Sequence, residues 1–137
     1  MVLLIDTNII IDMAANRTPF MEKSIKVIEL CAVSKATGYL SSRSFCDIFY
    51  ILRKDMSPDQ RKAFIKEIRK YMNTAIITDE IIDKALDNND ITDFEDAIQY
   101  ECAESINADY IVTRNTKDYC SGHIKAVTPE ELLELLG

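Results

Sequence analysis

The feature that most restricts this chain is its opening run, Val2-Leu3-Leu4-Ile5, four apolar residues stopped at once by Asp6. Comparable short runs recur at Tyr39-Leu40, Ala75-Ile76-Ile77, Tyr110-Ile111-Val112 and Ala126-Val127. Runs this short suit strands buried on both faces. Between them the apolar residues recur at helical spacing. Phe20, Ile25, Ile28 and Cys31/Ala32 form one stripe, with Thr18 as N-cap, Pro19 in the first helical position and Gly38 past the end. Ser57-Pro58-Asp59-Gln60 reads as a capping box, followed by Phe64, Ile68 and Tyr71/Met72 facing inward and Lys62, Lys66, Arg69 and Lys70 facing outward. Thr92-Asp93-Phe94-Glu95 and Thr128-Pro129-Glu130-Glu131 repeat the pattern before two further helices. Parallel neighbours need crossover connections, and those are usually helical, so the expected class is α/β in three layers. The central parallel sheet should have four to five strands. No repeat or long linker divides the sequence, and 47% apolar content supports one domain over residues 1–137.

A formal net charge of -7 argues on average against a phosphate-binding protein, but the charge is segregated. Residues 53–70 hold seven Lys/Arg and three acids, whereas residues 79–109 hold eleven acids and one Lys. A basic flank beside an acidic pocket is the expectation. The four cysteines form no C-x-x-C pair, and one His leaves no zinc cluster, so reduced core or subsurface thiols in a cytoplasmic protein are expected. Asp6 cuts the opening run too early for a signal peptide, and no stretch is long enough to span a membrane.

In open parallel sheets, ligands bind beyond the carboxyl ends of the strands where strand order reverses. Asp6 follows the first strand directly. Asp47 lies five residues after Ser42, the expected start of the helix behind the second strand, so it sits ~7–8 Å down that axis. Asp93 and Asp96 fall in the first turn of the helix leading back to the Tyr110 strand, and Asn115 and Asp118 follow that strand. Each has an ordinary role open to it. Acids favour helix N-termini, Asp47 can pair with Arg43 across one turn, Asn115 can be a cap and Asp118 a turn residue. Were they to meet, each pair ~4 Å apart would repel by about 4 kcal/mol at an effective dielectric of 20. A hard divalent cation, Mg²⁺ or Mn²⁺, relieves such repulsion and suits Asp and Asn oxygens. It can hold a phosphate, activate water for in-line attack and shield the leaving oxygen, which suggests phosphodiester hydrolysis.

The stretches Leu4-Ile5-Asp6-Thr7-Asn8-Ile9, Ser44 to Lys54 around Asp47, Asp93-Phe94-Glu95-Asp96-Ala97 and Ala108 to Asn115 together resemble a PIN domain. The resemblance covers essentially the whole chain. It implies a Mg²⁺- or Mn²⁺-dependent ribonuclease with Asp6, Asp47, Asp96 and Asp118 as catalytic acids, and Asp6, Asp96, Asn115 and Asp118 as metal ligands. Thr7, Asn8, Asp93 and Thr113 are the implied supporting residues. Asp47 stands where many PIN domains carry the longer Glu, and Asn115 where relatives often carry an acid, so either Asn115 or Asp118 completes the set. The size of the chain resembles the VapC-like group of toxins, which implies an RNA substrate, an antitoxin protein partner and a homodimer.

Arg114, beside the acidic turn, is a candidate for holding a substrate phosphate, with a salt bridge to a site carboxylate as its simpler role. The Lys62, Lys66, Arg69, Lys70 stripe is either a solvated face or an RNA contact. Tyr39, Tyr50, Tyr100 and Tyr110 are expected to pack with a polar end near the surface, base stacking being the alternative. His123 is read as an exposed loop residue without a role, and the leucines from Leu132 to Leu136 as a tail docked on the sheet. Two other functions stay open from sequence. One is a haloacid-dehalogenase-like phosphatase using Asp6, which expects an acid where Asn8 stands; the other is a catalytically silent module that binds RNA or protein.

Overall fold

The computed structural model describes residues 1–137. Five strands, β1 (Val2–Ile5), β2 (Thr37–Ser41), β3 (Met72–Ala75), β4 (Tyr110–Val112) and β5 (Lys125–Val127), form one sheet in the order β3-β2-β1-β4-β5. Every neighbouring pair is parallel. The helices are α1 (Thr7–Ala14), α2 (Met21–Ala32), α3 (Ser42–Ile51), α4 (Pro58–Arg69), α5 (Asp79–Asp87), α6 (Phe94–Ser105) and α7 (Pro129–Leu136). The expected three-layer α/β/α architecture is the observed one.

The pleat of β1 explains the layering. Leu3 and Ile5 enter one core with Ile10 of α1, Val27 of α2 and Ile48 of α3, while Leu4 between them enters a second core with Ile81 of α5 and Cys102 of α6. β4 repeats the alternation, Val112 joining the first core and Ile111 the second. Successive side chains of a strand point to opposite faces, so a strand without a polar position needs cover on both sides. Each such Leu or Ile contributes about 1.5–3 kcal/mol when fully buried. From α7, Leu132 is wholly buried and Leu133 packs against the same core, whereas Leu135 and Leu136 stay exposed.

Several boundaries differ from the sequence expectation. α2 begins at Met21, not at Pro19, and the chain leaves it through Ser34 at φ 59° instead of through Gly38. Gly38 lies inside β2, where a Cβ would come within 2.7 Å of Cys31 Sγ and Met72 Sδ. Space, not turning, requires glycine there. β3 occupies Met72–Ala75, and Ile76, expected within a buried strand, is exposed. α6 is capped by Asp93, which accepts from the Asp96 N–H at 3.0 Å, instead of by Thr92. The capping boxes at Ser57/Gln60 and Thr128/Glu131 form as expected. All four cysteines are free; Cys31 and Cys102 are buried, whereas Cys46 and Cys120 reach the surface. No helix is long and apolar enough to cross a membrane.

Overpacking at the β2 glycine gives the first expected outcome. Gly38→Ala should lower stability by about 1–3 kcal/mol, read by urea denaturation, because both Cys31 and Met72 must move.

Candidate active site

Strand order reverses at β1. The chain first adds β2 and β3 on one side and later places β4 and β5 on the other, which opens a crevice at the carboxyl edge between the diverging connections. Asp6 stands at that edge, its N–H donating to Val112 O at 2.9 Å. The hydroxyl of Thr113, directly after β4 and wholly buried, donates to Asp6 Oδ2 at 2.7 Å and accepts from the Asn115 N–H at 3.0 Å. One threonine thus ties the first carboxylate to the turn that carries Asn115 and Asp118.

The opposite walls come from α3 and α6. Ser41 caps α3 by accepting from the Ser44 N–H at 3.3 Å, and the Ser44 hydroxyl pairs with Thr7 Oγ1 at 2.8 Å and Ser41 Oγ at 3.1 Å. These bonds lock the starts of α1 and α3 together. One turn along α3, Asp47 lies 3.5 Å from Arg43 Nε, and the same guanidinium donates from Nη2 to Glu95 Oε1 of α6 at 2.9 Å. Asp96, in the first turn of α6, accepts from Tyr119 OH at 3.4 Å.

Asp6, Thr7, Asn8, Asp47, Asp96, Asn115 and Asp118 all line one cleft of about 260 Å³. The structure therefore brings together the residues that the sequence marked, although no three of the acids close into a metal cage as they lie. Thr113 sits outside the lining and supports Asp6, and Asp93 acts as the cap of α6. Among the lining residues missed as site residues are Ser44, Glu95, Tyr119, and Arg43, the cleft's cation. The Ser41-x-x-Ser44 capping spacing was a readable signal; nothing in the sequence marked Tyr119.

Arg114 departs from its expected place at a substrate phosphate. Its Nε lies 2.7 Å from Asp12 Oδ2, its Nη2 donates to Asp12 Oδ1 at 3.2 Å, and its guanidinium covers the Phe20 ring at 4.2 Å. Asp12 is 0% exposed, so its charge needs that partner, with Arg17 more distant at 3.8 Å. Arg114 does not line the cleft. The α4 stripe also lies off the cleft, with Lys70 paired to Glu67 at 2.7 Å and Arg69 donating to Thr74 Oγ1 at 2.9 Å.

Concentrated acid shows in the proton affinities. Burial raises Asp6 above the ordinary carboxylate range, opposed by the Thr113 hydroxyl and by the N–H groups of Asn8 and Thr7. Asp96 is pushed up to about 6, first by burial and then by the negative charges of Asp93 and Asp118. The Tyr119 phenol is raised by burial and by Asp6, Asp96 and Asp118. Arg43 is the only cationic side chain in the lining.

The PIN domain family model matches residues 2–117, which contain every acid of the cleft except Asp118. This chain belongs to the PIN domain family. Ribonuclease VapC1 of Aquifex aeolicus is 26% identical over 136 residues, covering 95% of this chain and 92% of that protein. A toxin–antitoxin complex from Klebsiella pneumoniae superposes with a TM-score of 0.71 at 22% identity, covering 93% of this chain and 97% of that one. VapBC2 of Rickettsia felis, bound to a DNA fragment from its promoter, gives a TM-score of 0.73 at 16% identity over 93% of this chain and 98% of that one. Within this PIN domain, α7 lies beyond the matched residues.

Two outcomes follow from the electrostatics. Between the ordinary value of 3.8 and about 6, native Asp96 keeps a proton that the unfolded chain has released. Metal-free stability attributable to Asp96 therefore falls as pH rises through that window. Urea unfolding in chelator should show Asp96→Asn gaining on the wild type from pH 4 to 7; a constant difference would contradict the assignment. At the buried pair, Arg114→Met should cost about 3 kcal/mol because it strands a carboxylate away from water. Asp12→Asn should cost less, since the freed arginine is 28% exposed and can reach solvent.

Proposed function

We propose that this protein is a divalent-metal-dependent endoribonuclease, the toxin of a toxin–antitoxin pair. The observation that carries the reading is that acids from four separate segments, Asp6, Asp47, Asp96 and Asp118, line one cleft at the reversal of strand order. The name of the Aquifex relative supports ribonuclease activity, and the Klebsiella and Rickettsia assemblies support an antitoxin partner and, with it, cytoplasmic action. A homodimer is part of the same proposal.

The donor set fits Mg²⁺ or Mn²⁺. All its oxygens are hard, the cleft leaves space for water, and Mg²⁺ commonly binds through one or two carboxylates while keeping several waters. Burial first, and then the charges of Asp93 and Asp118, raise Asp96, and a cation would relieve the second of these. Asp6, Asp96 and Asp118, with Asn115, would hold it. When bound, such a cation supplies positive charge that draws in phosphate oxygens and makes water a stronger acid.

The chain's own groups do the rest. Thr113 holds Asp6 through its hydroxyl and, with the N–H groups at the start of α1, opposes the rise in proton affinity that burial imposes. Tyr119 holds Asp96 through Oδ1, and the attacking water releases its proton to the water of the cleft. The water oxygen bonds to phosphorus as the bond to the 3′-oxygen breaks and that oxygen takes a proton. The ends left are 5′-phosphate and 3′-hydroxyl. Asp47, through its shorter side chain, acts at the rim of the site through water.

Cleavage of single-stranded RNA in Mg²⁺ or Mn²⁺ tests the reading. Asp6→Asn and Asp96→Asn should each lose about 100-fold or more, and chelator should silence the wild type. Full activity in both variants would overturn the assignment.

A further inference from the structure

With Arg114 committed to a buried partner, the cleft needs another group to hold the negatively charged strand, and α3 offers one. Arg43, Asp47 and Tyr50 stand at positions i, i+4 and i+7 of that helix, so they share a face. That face runs from the cleft outward. Arg43 is 47% exposed and is engaged only by Asp47 and Glu95, themselves 39% and 67% exposed. Ion pairs this exposed contribute little, so a phosphate can exchange for either carboxylate. The bond to Asp12 is not exchangeable in this way.

Tyr50 lies about 4.5 Å further along the axis than Asp47. Tyr50 is 61% exposed, against the expectation that it packs, and it belongs to neither core. The Arg53 guanidinium sits 3.9 Å from the ring centroid, fixed by donation from Nη1 to Tyr50 O at 3.0 Å. A held pair of an aromatic ring and a planar cation is a stacking platform for an unpaired base. The other arginine–ring pairs differ. Arg61 on Phe49 and Arg69 on Phe45 join α4 to the partly buried side of α3 and act as packing.

We propose that the exposed face of α3 is a nucleotide subsite, in which Arg43 binds a backbone phosphate at the cleft and Tyr50 with Arg53 stacks an unpaired base beside it. This rests on the ribonuclease reading and adds to it the residues of α3 and the turn after it that grip the strand. A base inside a duplex keeps its neighbours and cannot take the platform.

The test uses the full chain with a single-stranded oligoribonucleotide and the same strand annealed to its complement. Tyr50→Ala should raise KM for the single strand by about 5- to 100-fold, the range of one base–aromatic stack, and Tyr50→Phe should restore it. Arg43→Gln should raise KM and flatten the dependence of log K on log salt by about 0.7, one single-strand phosphate. An oligonucleotide carrying 2-aminopurine near the cleavage position should be quenched by the wild type and not by Tyr50→Ala. Cleavage by the wild type with all three readouts unmoved in the variants overturns the subsite and leaves the ribonuclease intact. A wild type that neither binds nor cuts RNA in Mn²⁺ removes the ribonuclease reading and the subsite with it.

Discussion

The structure turns on a carboxylate placed at the end of a strand that is apolar on both faces. Asp6 cannot retreat into either core, and water reaches it only from the edge of the sheet. The 2.7 Å bond from Thr113 stabilises it across the gap between β1 and β4. That bond fixes two things together: the position of the Asp6 carboxyl, and the direction taken by the chain leaving β4. Because the Asn115 N–H also bonds to the Thr113 hydroxyl, the turn bearing Asn115 and Asp118 is aimed by the same atom. The site is thus a consequence of satisfying one desolvated group.

Around it the helices supply direction. α1, α3 and α6 all begin at the carboxyl edge, each with partial positive charge at its N-terminus, which favours acids there. Those dipoles help assemble the acids but do not cancel their mutual repulsion, which adds to burial in raising Asp96. The fold therefore carries a destabilising feature at its most organised point. Tolerating it requires the two flanking cores, into which β1 and β4 send alternate side chains. Stability is spread over the sheet, and the strain of like charges is confined to the edge.

The fold class was legible because short apolar runs separated by capped helical stripes have few other solutions, and the acids were legible because their spacing from strand ends placed them. What escaped did so for physical reasons. α1 follows Asp6 with Thr7-Asn8-Ile9-Ile10-Ile11, a β-branched sequence that local propensity gives to a strand; burial of Ile9, Ile10 and Ile11 against α2 and the sheet overrides it. Ile76 and Ile77 look more like a strand than Met72-Asn73-Thr74 does, yet the register with β2 is set by Gly38 meeting Met72. The Asp12–Arg114 pair joins residues 102 positions apart, and no local pattern signals it.

Burial sorts the arginines more clearly than their sequence neighbours do. Arg114 lies beside Asn115, next to the site, but its partner is sealed from water, so its role is to keep α1 and the β4 turn together. Arg61 and Arg69 belong to the most basic stretch of the chain, yet they lie over the rings of Phe49 and Phe45 and bind α4 to α3. Arg43 alone among these reaches the cleft with partners that water also reaches. A guanidinium is always charged, so what it does is decided by whether its present partner can survive without it. Asp12 cannot, whereas Asp47 and Glu95 can, and that difference leaves Arg43 as the cation free to meet an incoming phosphate.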